Sequence, residues 1–229
     1  MYFLILTLVA AEQWNYIDSG KDWNDTCSTG KQQSPINIAE SLLYKVPDDL
    51  YFSVSFDYTP INVIGGFTTD TYLVSGLFGI MSFNQESVTS DNGERGNIQQ
   101  FHFHSPAENK VLGKSYDLEM HIVMLDLSKK YEYIVFATLF EVGNSKNEFI
   151  QQVIDNDGKS QNLDLASTFK VTEVKDFYVF MGSLTVPPCS QNVLWIVNKE
   201  IQTINEAQYN FFADKWIDNF NFAQGKASF

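Results

Sequence analysis

Two of the three histidines in this chain stand one residue apart, in the segment "QFHFH" (100–104). On a β-strand, residues two apart project from the same face of the sheet. His102 and His104 would then lie side by side on one face, while Phe101 and Phe103 enter a core on the other. Two imidazoles placed this way can bind one metal ion, but histidine pairs on strands are also common without a metal.

The third histidine, His121, lies in a second alternating segment, "DLEMHIVML" (117–125). One face carries Glu119, His121 and Val123, and the other carries Leu118, Met120, Ile122 and Met124. Antiparallel pairing of the two segments would bring His121 beside His102 and His104. Three neutral imidazoles with no nearby thiolate suit zinc, and suit copper or nickel less well. Three protein ligands leave a fourth position open for water, as in a catalytic zinc site.

A ligating imidazole needs a hydrogen-bond acceptor on its other ring nitrogen. Gln100 lies two residues before His102, and Glu119 lies two residues before His121. Because each pair shares a strand face, we expect Gln100 and Glu119 to orient the metal ligands.

The composition favours one sheet-rich domain. The chain has 229 residues, with 19 Phe and 11 Tyr, which suit packed sheets. Lys and Arg number 15 against 28 Asp and Glu, giving a formal net charge of −13. Charge of this sign argues against nucleic acid or an anionic membrane surface as partner, although solubility alone can explain it.

Alternating segments predict strands more often than helices. The predicted strands cover residues 51–58, 71–75, 78–83, 98–104, 117–125, 131–142, 177–184 and 193–198. Helical spacing predicts helices over 145–154 and 205–216, and Asn205 and Gln208 are placed to form a capping box for the second. With no Pro- or Gly-rich linker in the chain, we predict a single, mainly β (α+β) domain.

The N-terminus, "MYFLILTLVAAEQW", contains a short apolar run over residues 2–9 that is far too short to span a bilayer. Val9 and Ala11 fit the small-residue rule for cleavage before Glu12. Residues 1–11 thus resemble a secretory signal peptide that lacks a basic region. The alternatives are an apolar arm packed on the domain and an uncleaved anchor, and residues 12–229 form the domain in each case.

Two further features bear on export. Asn24, in Asn-Asp-Thr, matches an N-glycosylation acceptor. Cys27 and Cys189 would form a disulfide in a secreted chain and remain two buried thiols in a cytosolic one.

Several ordered motifs together resemble the alpha-class carbonic anhydrases. They are "QQSPINI" (32–38), "QFHFH" (100–104), Glu108, "LEMHIV" (118–123), "VFATLFEVG" (135–143), "GSLTVPPC" (182–189), "LWIV" (194–197) and "KASF" (226–229). The resemblance implies a large, twisted, mostly antiparallel sheet with short peripheral helices. It also implies a disulfide between Cys27 and Cys189, as in many secreted members, and therefore export from the cytoplasm.

The resemblance implies a zinc hydro-lyase that reversibly hydrates carbon dioxide to bicarbonate and a proton through zinc-bound hydroxide. The zinc ligands would be His102, His104 and His121, supported by Gln100 and Glu119. Thr185 would be the gatekeeper hydroxyl, and Glu108 the carboxylate that accepts its proton. Carbon dioxide would lie against an apolar wall formed by Val123, Val135, Leu184, Val193 and Trp195.

The chain also departs from the family pattern. Many fast members carry a histidine proton shuttle, but "VIGGFTTDTY" (63–72) contains none, and Phe67 or Thr68 stands in its place. We therefore expect slow proton release, with Asp70 or Tyr16 as substitute carriers. The other departures lie near the catalytic residues: Val186 replaces a second threonine, Asn109 a histidine and Phe180 a tyrosine.

The alternative function is a binding or structural subunit that keeps the fold and zinc but acts mainly through protein partners. Non-catalytic members of the family usually lose at least one zinc histidine. This chain retains all three, which favours the enzyme.

Overall fold

The computed structural model of the protein describes residues 14–15, 18, 20–45, 52–58, 62–67, 71–75, 79–85, 94–162 and 176–216. The predicted signal peptide or arm (1–11) and "KASF" (226–229) lie outside these residues, as do Tyr16, Thr68 and Asp70. Among the described helices, none is both long and apolar enough to cross a membrane.

The described chain is mainly β-strand, with three short α-helices and one 3-10 helix (Glu40–Leu42). The helices are α1 (Thr26–Thr29), α2 (Glu148–Asp155) and α3 (Glu206–Trp216). The strands are β1 (Asn37–Ile38), β2 (Leu43–Lys45), β3 (Phe52–Tyr58), β4 (Asn62–Phe67), β5 (Tyr72–Ser75), β6 (Gly79–Gln85), β7 (Glu94–His104), β8 (Lys110–Val111), β9 (Leu118–Asp126), β10 (Tyr133–Val142), β11 (Ser160–Asn162), β12 (Asp176–Ser183), β13 (Gln191–Asn198) and β14 (Gln202–Ile204).

Twelve of the strands form one large sheet in the order β11-β4-β5-β7-β9-β10-β13-β12-β2, with β6 on β7, β3 on β6 and β14 on β10. Strand β10 runs parallel to β13 and β14, and the other pairs in this sheet are antiparallel. Strands β1 and β8 form a separate two-stranded parallel sheet. The predicted fold class is confirmed, and each predicted strand and helix has a counterpart within a few residues.

The large sheet buries apolar side chains on both faces. On one face, Phe101 and Phe103 of β7 are fully buried, and their rings contact Phe149 of α2 and Phe212 of α3. The other face carries a second apolar cluster that includes Val135 and Trp195. Burying each large apolar side chain contributes about 1.5–3 kcal/mol, so the two clusters stabilise the central strands that lie between them.

The predicted capping box at the start of α3 is present, and it also joins the two helices. Gln208 N donates to Asn205 Oδ1 (2.9 Å), and Asn205 N donates to Gln208 Oε1 (3.3 Å). Gln208 Nε2 also donates to the carbonyl oxygen of Asn147 (2.7 Å), whose side chain caps α2 by accepting from Ile150 N (3.1 Å). One buried glutamine thus ties both helix N-termini together.

Candidate metal centre

The pairing of β7 with β9 brings the three histidines together. His102 lies directly opposite His121 in this antiparallel pair, and His104 is two residues further along the same face. One ligand nitrogen from each histidine lies within 4.8 Å of the others. His121 Nδ1 lies 3.2 Å from His102 Nε2. The prediction that the three imidazoles meet at one point able to hold a metal ion is confirmed.

Acceptor oxygens beside the outer ring nitrogens orient two of these imidazoles. The Nδ1 of His102 lies 2.8 Å from Gln100 Oε1, and the Nε2 of His121 lies 3.0 Å from Glu119 Oε1. Because both partner atoms are acceptors, each histidine donates its N–H outward. The lone pairs of His102 Nε2 and His121 Nδ1 therefore face the point that the three histidines share.

Burial keeps His102 and His104 in the form that binds metals. It lowers the pKa of His102 and of His104 well below the usual range, and neighbouring histidines lower both further. Neutral imidazole is the ligand form, and three imidazoles without a thiolate are a donor set that suits zinc. The residues present therefore fit the metal that the sequence predicts.

Glu119 is fully buried yet ionised. Burial alone would raise the pKa of its carboxyl, but His121 and two hydrogen bonds from Asn109 outweigh burial and lower it. Asn109 N donates to Glu119 Oε2 (2.8 Å), and Asn109 Nδ2 donates to Glu119 Oε1 (2.7 Å). The sequence marked Asn109 only as a departure from the family pattern, and these two contacts were not foreseen.

Both predicted catalytic residues lie near the histidines. Glu108 is nearly inaccessible, and its Oε2 lies 3.4 Å from His104 Nε2 and 4.0 Å from His121 Nδ1. Thr185 lines the same cavity as the three histidines. The loop that carries Thr185 is closed by two backbone hydrogen bonds, from Leu184 N to Ser190 O (2.9 Å) and from Cys189 N to Val186 O (2.8 Å).

A disulfide anchors this loop. Cys27 and Cys189 are bonded, with Cα atoms 5.0 Å apart, as the resemblance implied. The two cysteines pack with Trp23 and with Val186, which also lines the cavity. The cross-link therefore ends four residues from Thr185.

The histidines stand in a cavity of about 530 Å³ that is largely apolar. Its lining includes four of the five residues predicted for the apolar wall: Val123, Val135, Leu184 and Trp195. The fifth, Val193, is fully buried in the same apolar cluster rather than on the cavity surface. The sequence did not identify the lining residues Thr71, Leu73, Gln99, Leu125 and Tyr133.

The register of the β4–β5 hairpin identifies which residue of "GGF" shares the histidine face. Leu73 pairs with His102 on one side and with Gly66 on the other, so these three positions share a face. Phe67 instead pairs with Tyr72, whose buried ring packs against Phe103 on the opposite face. Gly66 is therefore the hairpin position level with the histidines.

Comparisons with known proteins agree with this geometry. The family model for eukaryotic-type carbonic anhydrase matches residues 12–223. A carbonic anhydrase of Neisseria gonorrhoeae is 34% identical over 212 residues, which cover 87% of this chain and 79% of that protein. A carbonic anhydrase of Klebsiella pneumoniae is 33% identical over 221 residues, which cover 90% and 84%.

A solved structure shows the same fold. The alpha-carbonic anhydrase from Thermovibrio ammonificans, in complex with the inhibitor sulfanilamide, matches with a TM-score of 0.71 and 28% identity, covering 94% of this chain and 95% of that one. With the family model spanning most of the chain, these matches establish that this protein belongs to the eukaryotic-type carbonic anhydrase family.

Proposed function

We propose that this protein is a zinc hydro-lyase that reversibly converts carbon dioxide and water to bicarbonate and a proton. The observation that carries the proposal is the convergence of three histidine nitrogens, within 4.8 Å of one another, in a largely apolar cavity. His102, His104 and His121 would hold the zinc ion. When bound, zinc lowers the pKa of a coordinated water to about 7, and carbonic anhydrase is the standard case.

The apolar side of the cavity would bind carbon dioxide. Val123, Val135 and Trp195 face the histidines, and Trp195 packs edge-on against the His121 ring with centroids 4.9 Å apart. Carbon dioxide is small and has no net dipole, so an apolar wall can hold it while excluding competing water. Bicarbonate is charged and gains less from the same wall, which favours its release.

Thr185 would direct the reacting water toward the substrate. In this proposal its hydroxyl donates to the Glu108 carboxylate, so its oxygen can only accept a hydrogen bond from the water. The remaining lone pair of that water then points at the carbon atom, which is preorganisation of the nucleophile. The near-complete burial of Glu108 beside His104 and the position of Thr185 in the cavity lining support this assignment.

We also propose that the chain is exported from the cytoplasm. The Cys27–Cys189 disulfide supports this, because such bonds persist mainly in oxidising compartments. Asn24, in the glycosylation acceptor, is exposed at the turn before α1. Both points can be tested by expressing the protein through a secretory pathway and treating it with a glycosidase. A protein with a glycan on Asn24 would lose mass on treatment, and the Asn24→Gln variant would keep its mass.

The central test is elemental analysis combined with stopped-flow carbon dioxide hydration. We expect one zinc ion per chain, and we expect His121→Ala to lose both the metal and the activity. Glu119→Ala should weaken zinc binding by about 10–100-fold. Lys146→Ala, an exposed change, should alter neither property.

Two results would count against the enzyme. Protein that contains no zinc and takes up none refutes the metal site. A protein that binds zinc but does not hydrate carbon dioxide in any buffer would favour a binding or structural subunit that works through protein partners.

A further inference from the structure

Asn109 binds the carboxylate behind His121 more completely than any other residue described. It is fully buried. Its backbone N–H donates to Glu119 Oε2 (2.8 Å), and its side-chain Nδ2 donates to Glu119 Oε1 (2.7 Å). Both oxygens of Glu119 are therefore held by one residue, and Oε1 also faces His121 Nε2 at 3.0 Å.

The other half of the Asn109 amide is tied to the start of β1. Asn109 Oδ1 accepts from Ile36 N (3.0 Å), and Ile36 O accepts from Lys110 N (3.0 Å). The next residues continue this contact as the β1–β8 sheet, where Asn37 pairs with Lys110. Because one end of the amide must donate and the other must accept, the side chain has a single orientation.

We propose that Asn109 is a positioning residue for the metal centre, which fixes the Glu119 carboxylate and, through it, the direction of His121 Nδ1. This inference rests on the proposed zinc function. A carboxylate held at one oxygen could rotate, and its contact with His121 would move with it. When both of its oxygens are held, Glu119 keeps His121 Nδ1 aimed at the point that the three histidines share. His102 Nε2, which faces the same point, lies 3.2 Å from His121 Nδ1.

The proposal makes a specific demand on position 109, because the side chain must present a hydrogen-bond donor to Glu119. Asn109→Asp keeps the size and the acceptor for Ile36 N but places an oxygen where the donor stood, about 2.7 Å from Glu119 Oε1. Asn109→His restores an N–H donor on a larger side chain. Asn109→Ala removes the side-chain donor without adding a charge, and it replaces the aspartate variant if that variant does not fold.

A neighbouring asparagine supplies a matched control. Asn37 lies in β1, which pairs with the strand that begins directly after Asn109, and its Oδ1 accepts from Gly113 N (2.7 Å) at an exposed position. Asn37→Asp makes the same chemical change one strand away and keeps that acceptor. It does not touch Glu119.

The experiment measures zinc affinity by chelator competition, the visible spectrum of the cobalt(II)-substituted protein, and thermal unfolding of the metal-free protein. For Asn109→Asp we expect zinc affinity to fall by about 10–100-fold and the cobalt spectrum to change. Asn109→His should recover most of the affinity, and Asn37→Asp should match the wild type in both measurements.

Three outcomes overturn the proposal. The first is wild-type zinc affinity and cobalt spectrum in Asn109→Asp. The second is equal loss of zinc affinity in the aspartate, alanine and histidine variants with matching loss of metal-free stability, which would show a packing role only. The third is failure of the wild-type protein to bind zinc or cobalt, which would also refute the proposed function, whereas the first two leave that function intact.

Discussion

Replacing Gly66 with histidine should supply the proton carrier that the described part of the cavity lacks. Gly66 shares the histidine face through its pairing with Leu73. A Cβ added at Gly66 meets no atom within 4 Å, so a side chain can start there without a clash at its first atom. Every histidine of this chain already belongs to the proposed metal site.

The expected increase in kcat follows from the distance between the strands. Neighbouring strands lie about 4.8 Å apart, and Gly66 is two strands from His102, so their Cα atoms are about 10 Å apart. An imidazole and one or two waters can bridge that gap to the reacting water. Positioned proton transfer contributes about 10²–10⁴-fold, and a water-bridged shuttle should give at least about tenfold in kcat, or about 1.4 kcal/mol.

Stopped-flow hydration assays in dilute and concentrated imidazole buffer test this reasoning. In the wild type, imidazole should raise kcat and leave kcat/KM nearly unchanged, because only kcat includes proton release. Gly66→His should reach a similar kcat without imidazole, while Gly66→Gln, of similar size but unable to titrate, should not. A wild-type kcat that is already high and indifferent to imidazole would refute the argument and point to another carrier, with Asp70 and Tyr16 the first to test.

Three further predictions concern stability, each measured by urea unfolding. Replacing Cys27 and Cys189 with serine should lower the free energy of unfolding by about 3–5 kcal/mol, and an unchanged value would refute a stabilising role for the cross-link. Gln208→Leu should lower it by about 1–3 kcal/mol, because the amide joining the two helix N-termini is lost, and a neutral effect would contradict that contact. Burial raises the pKa of Asp126, but hydrogen bonds from Tyr131, Ser128 and Lys130 lower it below 3.8 overall. Its charged form therefore adds stability that is fully present above pH 3.8 and is lost as the pH falls through the folded-state pKa. The Asp126→Asn variant should have a lower free energy of unfolding than the wild type. This difference should be constant above about pH 5 and shrink on acidification, and a difference independent of pH would contradict this reasoning.

Local sequence patterns predicted the strands and helices in which apolar side chains recur at a regular spacing. The alternation in "DLEMHIVML" gave both the strand β9 and its two faces, because one face of that strand enters the core beside Phe101 and Phe103. Strand β4 was not predicted, since Gly65 and Gly66 interrupt its apolar pattern and its position depends on pairing with β5. The two-residue strands β1 and β8 are too short to carry a period at all.

The side chains that line the candidate site were predictable where residues alternate regularly between the two faces of a strand. They were not predictable where that alternation is interrupted. Regular alternation along β7 would put Gln99 on the face of Phe101, away from the histidines. A bulge between Ile98 and Gln100 shifts the register, and both Gln99 and Gln100 line the cavity. A β-bulge depends on the neighbouring strands, so the sequence of β7 alone does not reveal it.

The surroundings of Thr185 depend on contacts between distant parts of the chain. Ser34 N donates to Ser183 Oγ (2.9 Å), and Ser183 N donates to Ser34 Oγ (3.2 Å). Cys27 bonds to Cys189 at the other end of the same loop. Thr185 is thus held from both sides by the segment between residues 27 and 34, whereas the three histidines are held by strands β7 and β9. A change in that segment should consequently disturb Thr185 before it disturbs the histidines, so in the proposed enzyme Ser34→Ala should lower kcat/KM while zinc binding is retained.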